Sequence, residues 1–349
     1  FVGWIVLAHV SHAGASGLNL LLVFWALSLP VLGQEIAIVL RQAPTYRNIT
    51  ARLLEPLGAP QVERRALSHG EQKEGAVGIA YERVTIRIAG RDVLKDINLC
   101  MPPGSHVAIV GPSGAGKSTL VGALLGFHQP VAGQILIDDH ALDESLREMT
   151  AWVDPAVHLW NRSLLANIRY GSRESCDAVG TALQAADLAD LLAMLPNGLQ
   201  TDLGEGGALV SGGEGQRVRL ARAMFRSNVR LVILDEPFRG LDRERRRELL
   251  LRSRTAWNNV TLLCITHDIA ETTLFDRVIV IDGGRIVEQG EPSVLAARED
   301  SRYRAMLDAE AALKRATWSD GSWRRLRMSG GIVIEDQKVE EEAFIHAQI

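Results

Sequence analysis

The sequence predicts an α/β domain built on buried strands, with a long apolar helix ahead of it. Three observations carry this expectation. Short apolar runs, "HVAIV" at 106–110, "LVIL" at 231–234 and a third ending at His267, read as buried strands. A glycine-rich stretch, "GPSGAGKS" at 111–118, lies between the first of these runs and the helix-like "STLVGALLGF". From Phe1 to Gln34 there is no Asp, Glu, Lys or Arg.

The chain has 349 residues, 47% of them hydrophobic and 23% charged, with net charge −4. That length suits about two domains and a sizeable core. The balance lacks the basic face that nucleic acid needs, so no nucleic-acid partner is expected. Cys100, Cys176 and Cys264 are scattered and form no metal-type pair; they read as small core residues.

"LNLLLVFWALSLPVLG" at 18–33 approaches the roughly 20 apolar residues of a membrane-crossing helix. Asn19, Ser28 and Pro30 interrupt it, and such residues are tolerated in membrane helices. Arg41, Arg47 and Arg52 follow, which by the positive-inside tendency places this end in the cytoplasm. The expected division is a membrane part at 1–56 with its last span about 17–40, then a linker at 57–76. A start at Phe, without a basic leader, points to a fragment of a longer chain. A buried helix of a soluble enzyme is the alternative.

The glycine-rich stretch fits G-x-x-x-x-G-K-[ST]. Across Gly111, Pro112, Ser113, Gly114, Ala115 and Gly116, the backbone N–H groups of all but the proline turn toward an anion at a helix N-terminus, as a phosphate cradle. Lys117 reaches the terminal phosphates, Ser118 offers a hydroxyl to Mg2+, and Thr119 completes the loop. Asp235, closing the second apolar run, is a metal-holding carboxylate, and Glu236 beside it is a general base. In "VSGGEGQRVRLARAM" Ser211, Gly212, Gly213 and Glu214 stand at the start of a basic helical stretch. His267 is placed to bind a γ-phosphate oxygen and position water.

Together these motifs, in this order, resemble the ATP-binding cassette (ABC) family over about Val77 to Leu313. The resemblance implies an α/β P-loop NTPase cassette with a helical subdomain at about 150–227, inside a domain at 77–313. The segment Thr201 to Glu205 within "LPNGLQTDLGEGGALVSGGEGQR" resembles the exporter branch, where it touches coupling loops of the membrane domain. Leu18 to Pro60 resembles the last exporter helix more weakly. The implied cofactors are ATP and Mg2+. The implied partner is a second cassette, in a homodimer or a heterodimer, with two ATPs sandwiched between phosphate loop and opposing signature. Ser211 and Gly213 then serve the partner's nucleotide, and Asp242 lies at the seam. The implied location is a cell membrane with the ATPase domain in the cytoplasm, and the cargo is unreadable. An importer-type ATPase subunit and a non-transport ABC ATPase are the other readings.

Three departures from the family pattern stand out. The adenine-stacking aromatic falls on Ile88, which loses the aromatic contribution of roughly 0.5–1.5 kcal/mol; Tyr81 aligns with a core position. The family glutamine that touches Mg2+ falls on Pro155 in "WVDPAVHLW", leaving Asp154 as the candidate oxygen ligand. "DEPFRGLD" resembles import-type cassettes, and Arg239 in it has no sequence-level explanation. Beyond the cassette, 314–349 is an extension with a basic, tryptophan-bearing part, an acidic part and a short strand near "GGIVIED".

Overall fold

Strands β1 (Ile79–Ile88) and β2 (Arg91–Met101) meet at a two-residue turn of Ala89 and Gly90, both at positive φ, as a tight hairpin requires. The structure is a computed structural model that describes residues 3–4, 8, 11, 17–58, 75–143, 145–154, 156–172, 178–319, 326–329 and 332–335. Val84, Ile86, Leu94 and Ile97 of the hairpin are fully buried. Strand β3 (His106–Val110) leaves this sheet, while β4 (Ala132–Ile137) and β5 (His140–Ala141) return to it in the order β2-β1-β4-β5, all antiparallel.

β3 belongs to a second sheet with β6 (Thr150–Val153), β7 (Leu231–Asp235), β8 (Thr261–Ile265), β9 (Arg277–Asp282) and β10 (Arg285–Gly290). Its order is β10-β9-β3-β8-β7-β6, parallel except for β10. The short apolar runs have no polar alternation because both faces of this sheet are covered. Val107, Ile109, Leu231, Ile233, Leu263 and Ile265 pack with the antiparallel sheet. Ala108, Val110, Val232, Leu234, Leu262 and Cys264 pack on the other face.

Helix α1 (Gly17–Gly58) precedes the sheets and belongs to a separate unit, Phe1–Ala66; the sheets lie in the unit Leu67–Ile349. Its 42 residues span about 63 Å. Phe24, Leu27, Leu29, Val39 and Leu40 are more than 60% exposed. Among the described residues no helix is long and apolar enough to cross a membrane. The side chains of 17–20, 22, 23 and 26, inside the expected span, lie outside the described residues, as do most of the linker and residues 320–325, 330–331 and 336–349 of the extension.

In the larger unit, α2 (Lys117–Leu124) follows β3 and α3 (Ser145–Glu148) precedes β6. A helical part follows: α4 (Leu164–Ile168), α5 (Val179–Ala185), α6 (Ala189–Met194) and α7 (Gly212–Met224). It begins later than the expected 150, because apolar "TAWV" pairs with β7 as strand β6. Then come α8 (Arg243–Ala256), α9 (Pro292–Ala297) and α10 (Arg302–Ser319). β11 (Leu326–Ser329) pairs with β12 (Ile332–Glu335), so the expected strand in "GGIVIED" is present.

Two core expectations meet different fates. Tyr81 is buried and its hydroxyl donates to Leu120 O at 3.0 Å, with burial pushing the phenol pKa up. Cys100 is exposed, because strand alternation turns Leu99 and Met101 inward and the residue between them outward. Cys264 is buried as expected, and Cys176 lies outside the described residues.

Candidate nucleotide-binding and hydrolytic site

β3 ends at Val110 and the chain turns at once. A Cβ at Gly111 would sit 2.0 Å from Ile281 O, so no side chain fits. Gly116 holds φ 107 at the start of α2, where a Cβ would meet Leu94 Cδ2 at 2.7 Å. No side chain caps α2, so its first N–H groups stay available to an anion. Lys117 is only 7% exposed and donates from Nζ to Gly111 O (2.8 Å) and Pro112 O (3.0 Å). Burial lowers its pKa, while the negative charges of Glu236 and Asp235 oppose the shift.

Asp235 closes β7, separated from β3 by β8, and Ser118 Oγ donates to its Oδ2 at 3.4 Å. Burial first, then the charges of Asp154 and Glu236, push the Asp235 pKa up to about 6; Ser118 and Lys117 pull it down. A raised carboxylate facing a hydroxyl is a donor set of hard oxygens, which suits Mg2+ completed by phosphate and water.

Glu236 follows at φ 44, a left-handed conformation for a non-glycine residue. Its N–H donates to Ile265 O at 2.9 Å, which fixes it at the end of β8. Its Oε1 lies 2.7 Å from His267 Nε2. The loop after β3 and the ends of β7 and β8 therefore converge on a cleft of about 340 Å³. Ser113, Gly114, Gly116, Lys117, Ser118, Thr119, Asp235, Glu236 and His267 line it, with Val93 and Ile265.

Other candidates stand apart. Ile88 lies at the hairpin turn, 36% exposed and outside the cleft lining, whereas Val93 of β2 lines it. Gly111, Pro112 and Ala115 shape the loop from behind. Asp154 does not line the cleft; its Oδ1 accepts from Ala156 N at 2.7 Å, and its charge reaches the site through Asp235. Pro155 lies outside the described residues. Ser211 caps α7 by accepting from Glu214 N at 3.3 Å, and Glu214 Oε2 accepts from Ser211 N at 2.8 Å. Gly212, Gly213 and this cap do not line the Lys117 cleft. Asp242 caps α8, its Oδ1 accepting from Arg245 N at 2.9 Å. Arg239 is exposed in the loop after Glu236. Sequence reading missed Val93, Gln216 and Arg219; the Gln216 side chain donates to Glu236 O at 3.5 Å.

A phosphate loop after a central parallel strand, acids at the end of a second parallel strand of the same sheet and a capped Ser-Gly-Gly helix define a P-loop NTPase of cassette type. Comparison with known proteins gives the narrower class. Residues 94–239 match the ABC transporter family. The chain carries an ABC transporter domain, an ATP-binding cassette. It is 37% identical over 268 residues to the ATP-dependent lipid A-core flippase of Ralstonia nicotianae, covering 73% of this chain and 45% of that protein. With the flippase of Escherichia coli (strain K12) it shares 34% over 279 residues, 75% of this chain and 48% of the other. The chain thus spans about half the length of these relatives. A solved bacterial Atm1-family ABC exporter with ATP bound superimposes with a TM-score of 0.68 at 28% identity, over 85% of this chain and 53% of that one.

Proposed function

We propose that this chain is the nucleotide-driven part of an exporter-type ABC transporter, coupling ATP hydrolysis to movement of a substrate across a membrane. The observation that carries the reading is the convergence of Lys117, Ser118, Asp235, Glu236 and His267 on one cleft. Lys117 and the N–H groups at the start of α2 hold the β- and γ-phosphates. Ser118 and Asp235 would hold Mg2+, which would supply charge neutralisation for phosphoryl transfer. Glu236 accepts a proton from the attacking water, and His267 orients that carboxylate and meets the γ-phosphate. Val93 packs on the base.

A second cassette supplies its own Ser211–Glu214 segment to this nucleotide, and this chain reciprocates. Asp154 bears on the metal through the field it sets at Asp235. The exposed apolar side chains of α1 support lipid or neighbouring helices around that segment, with the cassette on the cytoplasmic side of a cell membrane. The relatives' named cargo makes an amphiphilic lipid the first class to test.

The test is phosphate release by the purified chain, with and without Mg2+, in lipid vesicles. Mg2+-dependent release that an amphiphilic lipid stimulates is expected. Absence of Mg2+-dependent release refutes the hydrolytic reading, and release unaffected by any amphiphile counts against the lipid cargo.

A further inference from the structure

A row of arginines on and just after α7 faces the segment 148–167. Arg222 donates from Nε to Asn167 O (2.8 Å) and from Nη2 to Asn167 Oδ1 (3.0 Å). Arg226 donates from Nη1 to Thr150 O (2.9 Å) and from Nη2 to Glu148 O (2.7 Å). These bonds pin the segment and lead no further toward the cleft.

Arg219 differs. Its Nε donates to Val157 O at 2.6 Å, in the loop that carries Asp154. Its Nη1 donates to Gln216 Oε1 at 3.1 Å. Gln216 is 4% exposed and turns its Nε2 toward Glu236 O at 3.5 Å. The guanidinium passes over Gly215, where a Cβ would come within 3.3 Å of Nη1. A continuous path of donors and acceptors thus runs from the loop through α7 to the main chain of Glu236.

We infer that Arg219 is a positioning residue, tying the Asp154–Val157 loop through Gln216 to the Glu236 backbone, so that the loop's place sets the carboxylate's aim. Two further facts support this. Glu236 sits at φ 44, a conformation that persists only when neighbouring bonds hold it. The Asp154 charge acts on both Arg219 and Asp235, so one loop bears on the relay and on the site's second acid. Arg219 touches no nucleotide position; it acts through Gln216.

The inference rests on the proposed ATPase reading, and its test separates the two. Steady-state phosphate release and fluorescent ATP-analogue binding are measured on the full chain carrying Arg219→Ala, Arg219→Lys, Gln216→Met and the Arg219→Ala/Gln216→Met pair. Arg226→Ala serves as a control that loosens the segment without touching the relay. Expected is a kcat about ten-fold lower in Arg219→Ala and in Gln216→Met, with analogue affinity within about two-fold of the parent. The pair falls no further than either single variant, because the two residues act in series. Arg219→Lys keeps the charge beside Asp154 and one donor, and recovers part of kcat; it also carries the test if Arg219→Ala fails to fold. Arg226→Ala keeps the parental kcat at a lower melting temperature. A parental kcat in both Arg219 variants, or independent additive losses in the pair, overturns the inference. A parent chain that releases no phosphate overturns the ATPase reading instead.

Discussion

Glu236 Oε1 and His267 Nε2 lie 2.7 Å apart across the ends of β7 and β8. Neither element alone makes this contact. Parallel pairing sets Asp235 opposite Ile265, so the residues that follow both strands leave the sheet side by side. In the proposed function this contact lets the histidine orient the carboxylate that accepts the water's proton. His267→Ala should therefore lower kcat by roughly 10²-fold while leaving ATP-analogue binding within a few-fold, because proton acceptance is felt only in the transition state. Single-turnover phosphate release checks it; equal losses in binding and turnover contradict it.

Lys117 is a buried cation that already satisfies two loop carbonyls. In the proposed function arriving phosphates take over those contacts. Lys117→Ala should weaken nucleotide binding by about 10–100-fold through loss of charge-assisted hydrogen bonds. The loop itself should persist, since Gly111 and Gly116 set its path by their backbone geometry. Calorimetric titration with a nonhydrolysable analogue measures the loss, and an unchanged melting temperature separates it from unfolding.

Asp235 links stability to pH. Its pKa is raised from 3.8 to about 6, chiefly by burial, so the folded chain holds this proton more tightly than the unfolded chain. The group's contribution is therefore fully present below about pH 4 and is lost as pH rises through about 6. Asp235→Asn should flatten the melting temperature between pH 4 and 6.5 in the nucleotide-free protein. At pH 7.5 it should stabilise by on the order of 1–2 kcal/mol, after discounting for solvent screening at a half-buried group. Thermal denaturation over a pH series checks this. The same variant should lose Mg2+-dependent turnover.

The proposed function gives the base contact to Val93 of β2. Val93 lines the cleft and Ile88 does not. Val93→Ala removes roughly two methylene equivalents and should weaken ATP about five-fold, with a similar effect on GTP, because an aliphatic contact reads no base edge. Ile88→Ala should change either affinity less than two-fold. Competition binding with both nucleotides distinguishes the two positions.

The phosphate loop, Asp235, Glu236 and His267 are legible in the sequence because each sits at the end of a short apolar run. A strand end fixes where the next residue points, so linear motifs translate directly into a site. Val93 is not legible this way: it reaches the cleft from the antiparallel sheet, and only the packing of two sheets brings it there. The Arg219–Gln216 relay hides among the other arginines of a basic stretch, whose burial and partners are set by tertiary packing. Cys100 shows a smaller failure of the same kind, since an apolar neighbourhood in sequence is split between two faces by strand alternation.

In the proposed function Glu236 activates water in a cleft shared by two cassettes. Glu236→Gln keeps the size of the side chain and removes the base. Mass measurement of the purified chain in detergent, with and without Mg2+–ATP, tests the claim together with phosphate release. The variant should bind ATP, release phosphate at least 10²-fold more slowly than the parent, and accumulate as an ATP-dependent cassette pair. Parental turnover in Glu236→Gln, or equal mass with and without ATP, would contradict it.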